Sequence, residues 1–146
     1  MASTTLNSPD LTHGIHFTHS PDLSKRTTRE RLSQSAIDGF ISIADRWSLT
    51  IDERCGLLGV ERSTLHRLRT GAGTRSQDEL TRVSYIVGMY KALHLLFPAD
   101  LANEWVKRPN INLLFGGSRP LDFLLRTGIP GFHQVRSLLD GYRGGL

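Results

Sequence analysis

Between Arg62 and Arg69 the chain gathers three arginines, a serine, a threonine and a histidine. The planar fork of arginine matches the paired acceptors of guanine or phosphate, while Ser, Thr and His bond phosphates or base edges. Arg62, Ser63, Thr64, His66, Arg67 and Arg69 are therefore candidates for reading duplex DNA. Other chemistries find less support. His13, His16 and His19 stand three apart, as metal ligands on one helical face would, but no helix is expected there and no carboxylate or cysteine completes a site. Cys55 is the one cysteine, so it forms no internal disulfide; its place suggests packing between helices rather than a nucleophile. His94 and His133 sit beside apolar residues as core-edge groups. No pair of catalytic carboxylates is present, so the sequence predicts no enzyme, no cofactor and no metal.

The elements that must present the arginine-rich face are helices. Leu32, Ala36, Phe40, Ile43, Ala44 and Trp47 recur at spacings of three and four from Arg29 onward, which predicts a first amphipathic helix with Gly39 as a weak spot. Thr50 with Glu53 forms a capping box that opens a second helix, Ile51 to Leu58. Gly59 supplies a left-handed stop, Val60 plugs the turn, and "ERSTLHRLR" opens a third helix with Leu65 and Leu68 inward. Small Cys55 lets the two helices cross closely. Helix, glycine turn and helix make a helix-turn-helix, whose second helix is the one that reaches bases. "GAGT", residues 71–74, is a flexible break, after which Ser76 and Glu79 cap a long helix. Leu80, Val83, Ile86, Val87, Tyr90, Leu93, Leu96 and Phe97 give it an apolar stripe up to Pro98.

The closing third is punctuated by Pro, Asn and Gly. A helix is expected from about Ala99 to Val106, anchored by Trp105, then an extended bend at "RPN", because Pro109 disfavours a helical Arg108. Gly116 and Gly117 permit a reversal, Pro120 to Arg126 forms a helix stopped at Thr127-Gly128, and a last helix runs from about Gly131 to Tyr142. No segment shows sustained period-two alternation, so the fold class is all-α. Arg119, Arg126, Arg136 and Arg143 surround the two closing helices, in the manner of a docking platform.

The bulk numbers agree with a small binding protein. A chain of 146 residues suits one domain or two small helical units sharing a core. All eighteen Lys and Arg lie after residue 24, with twelve of the fourteen acids, so that part carries +6. Fifteen of the eighteen are Arg, which favours a polyanion or an acidic protein surface as partner. The first 24 residues read as a flexible arm with no signal-peptide pattern, and no apolar run could cross a membrane. A cytoplasmic protein is expected.

The segment around Thr50, Cys55, "LLGV" and "RSTL" resembles the helix-turn-helix of Xre-type and Cro-like repressors. It departs at Glu61, where such families carry a Ser or Thr cap, at Arg54, where an apolar residue is expected, and at Gly56, which costs about 1 kcal/mol inside a helix. The order of Trp105, Pro109-Asn110, Gly117, Pro120-Leu121, Leu124-Leu125, Thr127-Gly128, Val135, Leu138-Leu139 and a closing Gly-Gly is similar to the toxin-binding domain of the Xre, MbcA and ParS antitoxins. That resemblance covers about residues 28–146. It implies a dimer that binds a partner toxin with an NAD-consuming RES domain, covers the toxin's active site, and represses its own operon through operator DNA.

After the arm at 1–24, the resemblance implies a helix-turn-helix domain at 25–75, a connecting or dimerisation helix at 76–98 and a toxin-binding domain at 99–146. Trp105, Pro109, Asn110, Gly117, Pro120 and Leu121 would form the platform, most of them shaping it. Arg136, Tyr142, Arg143, Gly144, Gly145 and Leu146 would lie nearest the toxin, with the Gly-Gly tail able to bring a terminal carboxylate to a basic NAD pocket. Two other readings stay open: a stand-alone repressor whose closing domain only dimerises, and an antitoxin whose helix-turn-helix has lost DNA.

Overall fold

A computed structural model describes residues 21–144. The helices run α1 (Arg26–Arg46), α2 (Ile51–Leu58), α3 (Arg62–Arg67), α4 (Gln77–Leu96), α5 (Ala99–Glu104), α6 (Pro120–Thr127) and α7 (Ile129–Gly144), with a 3₁₀ turn at Trp105–Lys107 between α5 and α6. No strand occurs among the described residues, and the fold is all-α.

α1 starts three residues before the expected Arg29. Asp22 Oδ1 accepts from the Ser24 N–H at 3.0 Å, and the Arg29 guanidinium donates to the Leu23 and Ser24 carbonyls, both at 3.0 Å, so the chain is already ordered where it enters the helix. Residues 21–24, read from sequence as part of the arm, therefore belong to the fold. The rest of that arm, with His13, His16 and His19, lies outside the described residues.

The α1 stripe buries Ile37, Phe40, Ile43 and Ala44, and Trp47 sits buried just past the helix end. α4 is the central beam. It packs against α7 and α1, burying Leu80, Val83, Ile86, Met89, Ala92 and Leu93. One continuous apolar cluster takes Phe40 and Trp47 from the first half and Phe115, Leu121, Phe132 and Leu139 from the second. Burying an aliphatic or aromatic side chain contributes about 1.5–3 kcal/mol, so the halves stabilise each other through this shared core.

Both capping boxes are present: Thr50 Oγ1 accepts from the Glu53 N–H at 3.1 Å, and Ser76 Oγ accepts from the Glu79 N–H at 3.0 Å. The link at 71–74 is not the flexible break that its glycines suggest. Ala72 is buried, its N–H donates to Gln34 Oε1 at 3.0 Å, and the Arg75 N–H donates to the buried Ser33 Oγ at 2.9 Å. Two polar side chains of α1 thus pin the link. The last helix begins at Ile129 rather than Gly131, because Gly128 at φ 69° reverses the chain directly into it and accepts from the Phe132 N–H at 2.9 Å.

Candidate functional site

The helix-turn-helix is α2, Gly59 and α3. Gly59 adopts φ 80°, a region L side chains rarely occupy, and its N–H closes α2 on the Cys55 carbonyl at 2.8 Å. Arg82 of α4 braces this turn: its Nη1 lies 3.3 Å from the Leu57 carbonyl and 3.4 Å from that of Gly56, while Nε pairs with Asp78 at 2.8 Å. A cation at the last carbonyls of α2 also favours the helix dipole.

α3 projects outward and buries none of its own residues. Arg62, Ser63, His66 and Arg67 are all exposed, and their spacing places them on adjoining turns of one face. Thr64 turns partly inward and accepts from Arg67 Nη2 at 3.2 Å. Arg69 lies beyond the helix, beside Arg54, Asp45 and Leu65 in a separate cleft. Arg62 is engaged: its Nε and Nη2 both donate to Asp52 Oδ1, at 3.0 and 2.7 Å. Glu61 flanks α3 without a side-chain cap bond.

Two sequence departures acquire reasons. Arg54 stands where an apolar residue was expected because its Nη2 pairs with Asp45 at 2.8 Å and its Nε donates to the Leu49 carbonyl at 3.0 Å. Gly56 lies under α6, where a Cβ would come within 2.6 Å of Leu125 Cδ2. Burial pushes the Cys55 thiol above its ordinary value, which suits a packing role.

In the closing half, Trp105 packs edge-to-face on Phe115, with centroids 5.8 Å apart, and Phe115 packs likewise on Phe123 at 5.6 Å. Leu121 and Pro120 of this platform are buried. Asn110 and Gly117 pair across a narrow reversal: the Asn110 N–H donates to Ser118 O at 3.1 Å, and the Gly117 N–H donates to Asn110 O at 2.9 Å. Pro109 is exposed beside them. Tyr142 accepts from Asn112 Nδ2 at 3.0 Å, which fixes the end of α7 beside this loop.

Arg136 lies across α4, where a Cβ on Gly88 would stand 1.6 Å from its Nη1, and it pairs with Asp140 at 3.1 Å. Arg143 is exposed and pairs with the same Asp140 at 3.5 Å; Gly144 ends α7, while Gly145 and Leu146 lie outside the described residues. Tyr142, Arg143 and Gly144 therefore share one end of the molecule with the Asn110–Gly117 loop. Sequence reasoning passed over the two most exposed large apolar residues of that loop, Ile111 and Leu113. The only signal was the alternation in "NINLL", with asparagines able to hold the backbone while the aliphatic residues project.

Ionic contacts join the halves. Glu53, in the capping box of α2, also faces Lys107 at 3.6 Å and Arg119 at 3.8 Å, and Lys107 donates to the Ser48 carbonyl. Arg119 pairs more closely with Asp122, at 2.6 Å, and this bond holds the Asp122 carboxyl below its usual range. An open groove of about 750 Å³ runs along the junction, lined among others by Cys55, Thr64, Arg82 and Arg126. Among the described residues no group of three or more His, Cys, Asp or Glu side chains could hold a metal ion, and no helix is long and apolar enough to cross a membrane.

Comparison with known proteins divides the chain at α4. Residues 25–88 match the family described as the antitoxin Xre-like helix-turn-helix domain, and residues 92–145 match the antitoxin Xre/MbcA/ParS C-terminal toxin-binding domain. The chain is also 38% identical over 111 residues to the uncharacterized protein y4oB of Sinorhizobium fredii (strain NBRC 101917 / NGR234), covering 75% of this chain and 84% of that one.

Proposed function

The chain belongs to the Xre/MbcA/ParS antitoxins, and from that premise we propose that it binds and inhibits a RES-domain toxin that consumes NAD, covering the toxin's active site, and represses its own operon as a dimer. The observation that carries this reading is the succession of a helix-turn-helix match and a toxin-binding match on one chain whose two units share α4. The platform ending in Tyr142, Arg143 and Gly144 is the surface assigned to the toxin, supported by its exposure and its arginine. The RES identity rests on the family resemblance of the closing segment.

For DNA, the assigned face is Arg62, Ser63, His66 and Arg67, with Thr64 and Arg69 at its margins. Two copies of α3 in a dimer would meet half-sites about one helical turn apart. Between α1 and α4 lies an apolar groove of about 310 Å³, lined among others by Leu32, Ala36, Val83 and Val87. Expressing the gene that adjoins this one, with and without this chain, and measuring NAD and co-purification tests the first part. NAD preserved by a co-purifying chain is the expected result; NAD depletion despite its presence overturns it.

A second reading has its own observation. Asp52 occupies Arg62 and Glu61 adds a further carboxylate, which favours an antitoxin that acts on protein alone. A labelled fragment of its own promoter separates the two: a retarded band that weakens steeply with salt supports repression, and an unshifted fragment at low salt supports the second reading.

A further inference from the structure

Ile111 and Leu113 are 95% and 97% exposed, although each would lose apolar surface to almost any contact. Scattered exposed aliphatic residues are ordinary on a surface, and loops that carry them are commonly loose. This loop is held from several sides. Asn110 Oδ1 accepts from the Asn112 N–H at 2.9 Å, and Asn112 Oδ1 accepts from the Leu114 N–H at 2.9 Å, so two successive asparagines fix the backbone on either side of each aliphatic residue. The Asn112 carbonyl accepts from the Phe115 and Gly116 N–H groups at 2.9 and 3.0 Å, and buried Phe115 anchors the loop in the core. Asn112 Nδ2 ties the loop to Tyr142 at the end of α7.

We propose that Ile111 and Leu113 form a preorganised two-pronged plug that enters an apolar recess on the toxin. This deepens the antitoxin reading and rests on it. The toxin is the occupant for two reasons. The loop falls inside the segment that matches a toxin-binding domain, and the Asn112–Tyr142 bond makes it continuous with the helix end assigned to that partner. A loop already fixed in shape loses little conformational entropy on docking, so side chains presented this way convert burial into affinity efficiently.

The test uses the full chain and the purified product of the adjoining gene as the toxin, by calorimetric titration and co-elution. The double variant Ile111→Ser/Leu113→Ser should bind on the order of a hundredfold more weakly, since it removes two buried aliphatic groups. Its helical signal and melting should match the wild type because neither side chain packs in the fold. Ile111→Val/Leu113→Ile should bind like the wild type, which separates insertion of apolar side chains from contacts made by the loop backbone. Equal binding by the serine variant, with the wild type binding, removes the plug while leaving the antitoxin reading intact. Loss of self-association without loss of toxin binding would overturn the plug and assign the face to a second copy. A wild-type chain that does not bind the toxin removes the antitoxin reading, and the plug with it.

Discussion

Glu53 carries several roles on one carboxylate: it closes the capping box on the Thr50 N–H at 2.9 Å, and it faces both Lys107 and Arg119 from the closing half. Its side chain is 16% exposed, so removing it leaves two cations facing each other across a partly screened gap. Glu53→Ala should cost about 2 kcal/mol, with Glu53→Gln costing about half as much because the amide oxygen still caps; urea unfolding reads both. The Asp122 carboxyl is held low by Arg119, so its contribution is present above the ordinary carboxylate value of about 3.9 and is lost as the pH falls through the depressed one. The stability gap between wild type and Asp122→Asn should therefore be constant above about pH 5 and close in acid. Gly131 is buried where α6 turns into α7, and a Cβ there would meet Thr127 Cβ at 2.6 Å, so Gly131→Ala should destabilise by about 1–3 kcal/mol. The capping box of Glu53 is readable from the sequence, but its contacts with Lys107 and Arg119 are not, since the packing of α2 beside α6 brings them together. Arg54 shows the same limit, since its reason is Asp45 on another helix.

For the elements, local chemistry was legible and tertiary adjustment was not. Thr50 with Glu53, Ser76 with Glu79, and Gly59 at positive φ set the helix starts and the turn that their residue types predict. These are short-range hydrogen bonds and sterics. The link at 71–74 read as loose because two glycines lower the cost of disorder, yet Gln34 and Ser33 hold it from another helix. Ile111 and Leu113 were missed because periodicity identifies faces only on regular elements, and they sit on a loop built by asparagine side chains. On α3, Asp52 draws Arg62 back and places a negative charge beside the exposed face. Asp52→Asn should thus tighten binding to promoter DNA several-fold, whereas Arg67→Ala should weaken it and lower the salt dependence by about one ion. Gel-shift titrations at several salt concentrations measure both.

Across the whole molecule, the shared core joins the helix-turn-helix half and the closing half in one body. The two tryptophans report on opposite halves, Trp47 at the end of α1 and Trp105 in the turn after α5. Fluorescence melting of Trp47→Phe and Trp105→Phe should show single transitions coincident with the loss of helical signal in each variant; a separate early transition at either tryptophan would mean that the halves unfold independently. The role of α4 as core for both sides was not legible in the sequence, because a broad apolar stripe does not reveal how many partners it has. The most direct test of the antitoxin account is the NAD content of cells expressing the adjoining gene, alone and together with this chain, with co-purification followed in the same cultures. The account predicts that NAD collapses with the toxin alone and is preserved when the two proteins purify as a complex. NAD that collapses equally in both cultures, with no complex recovered, would contradict it.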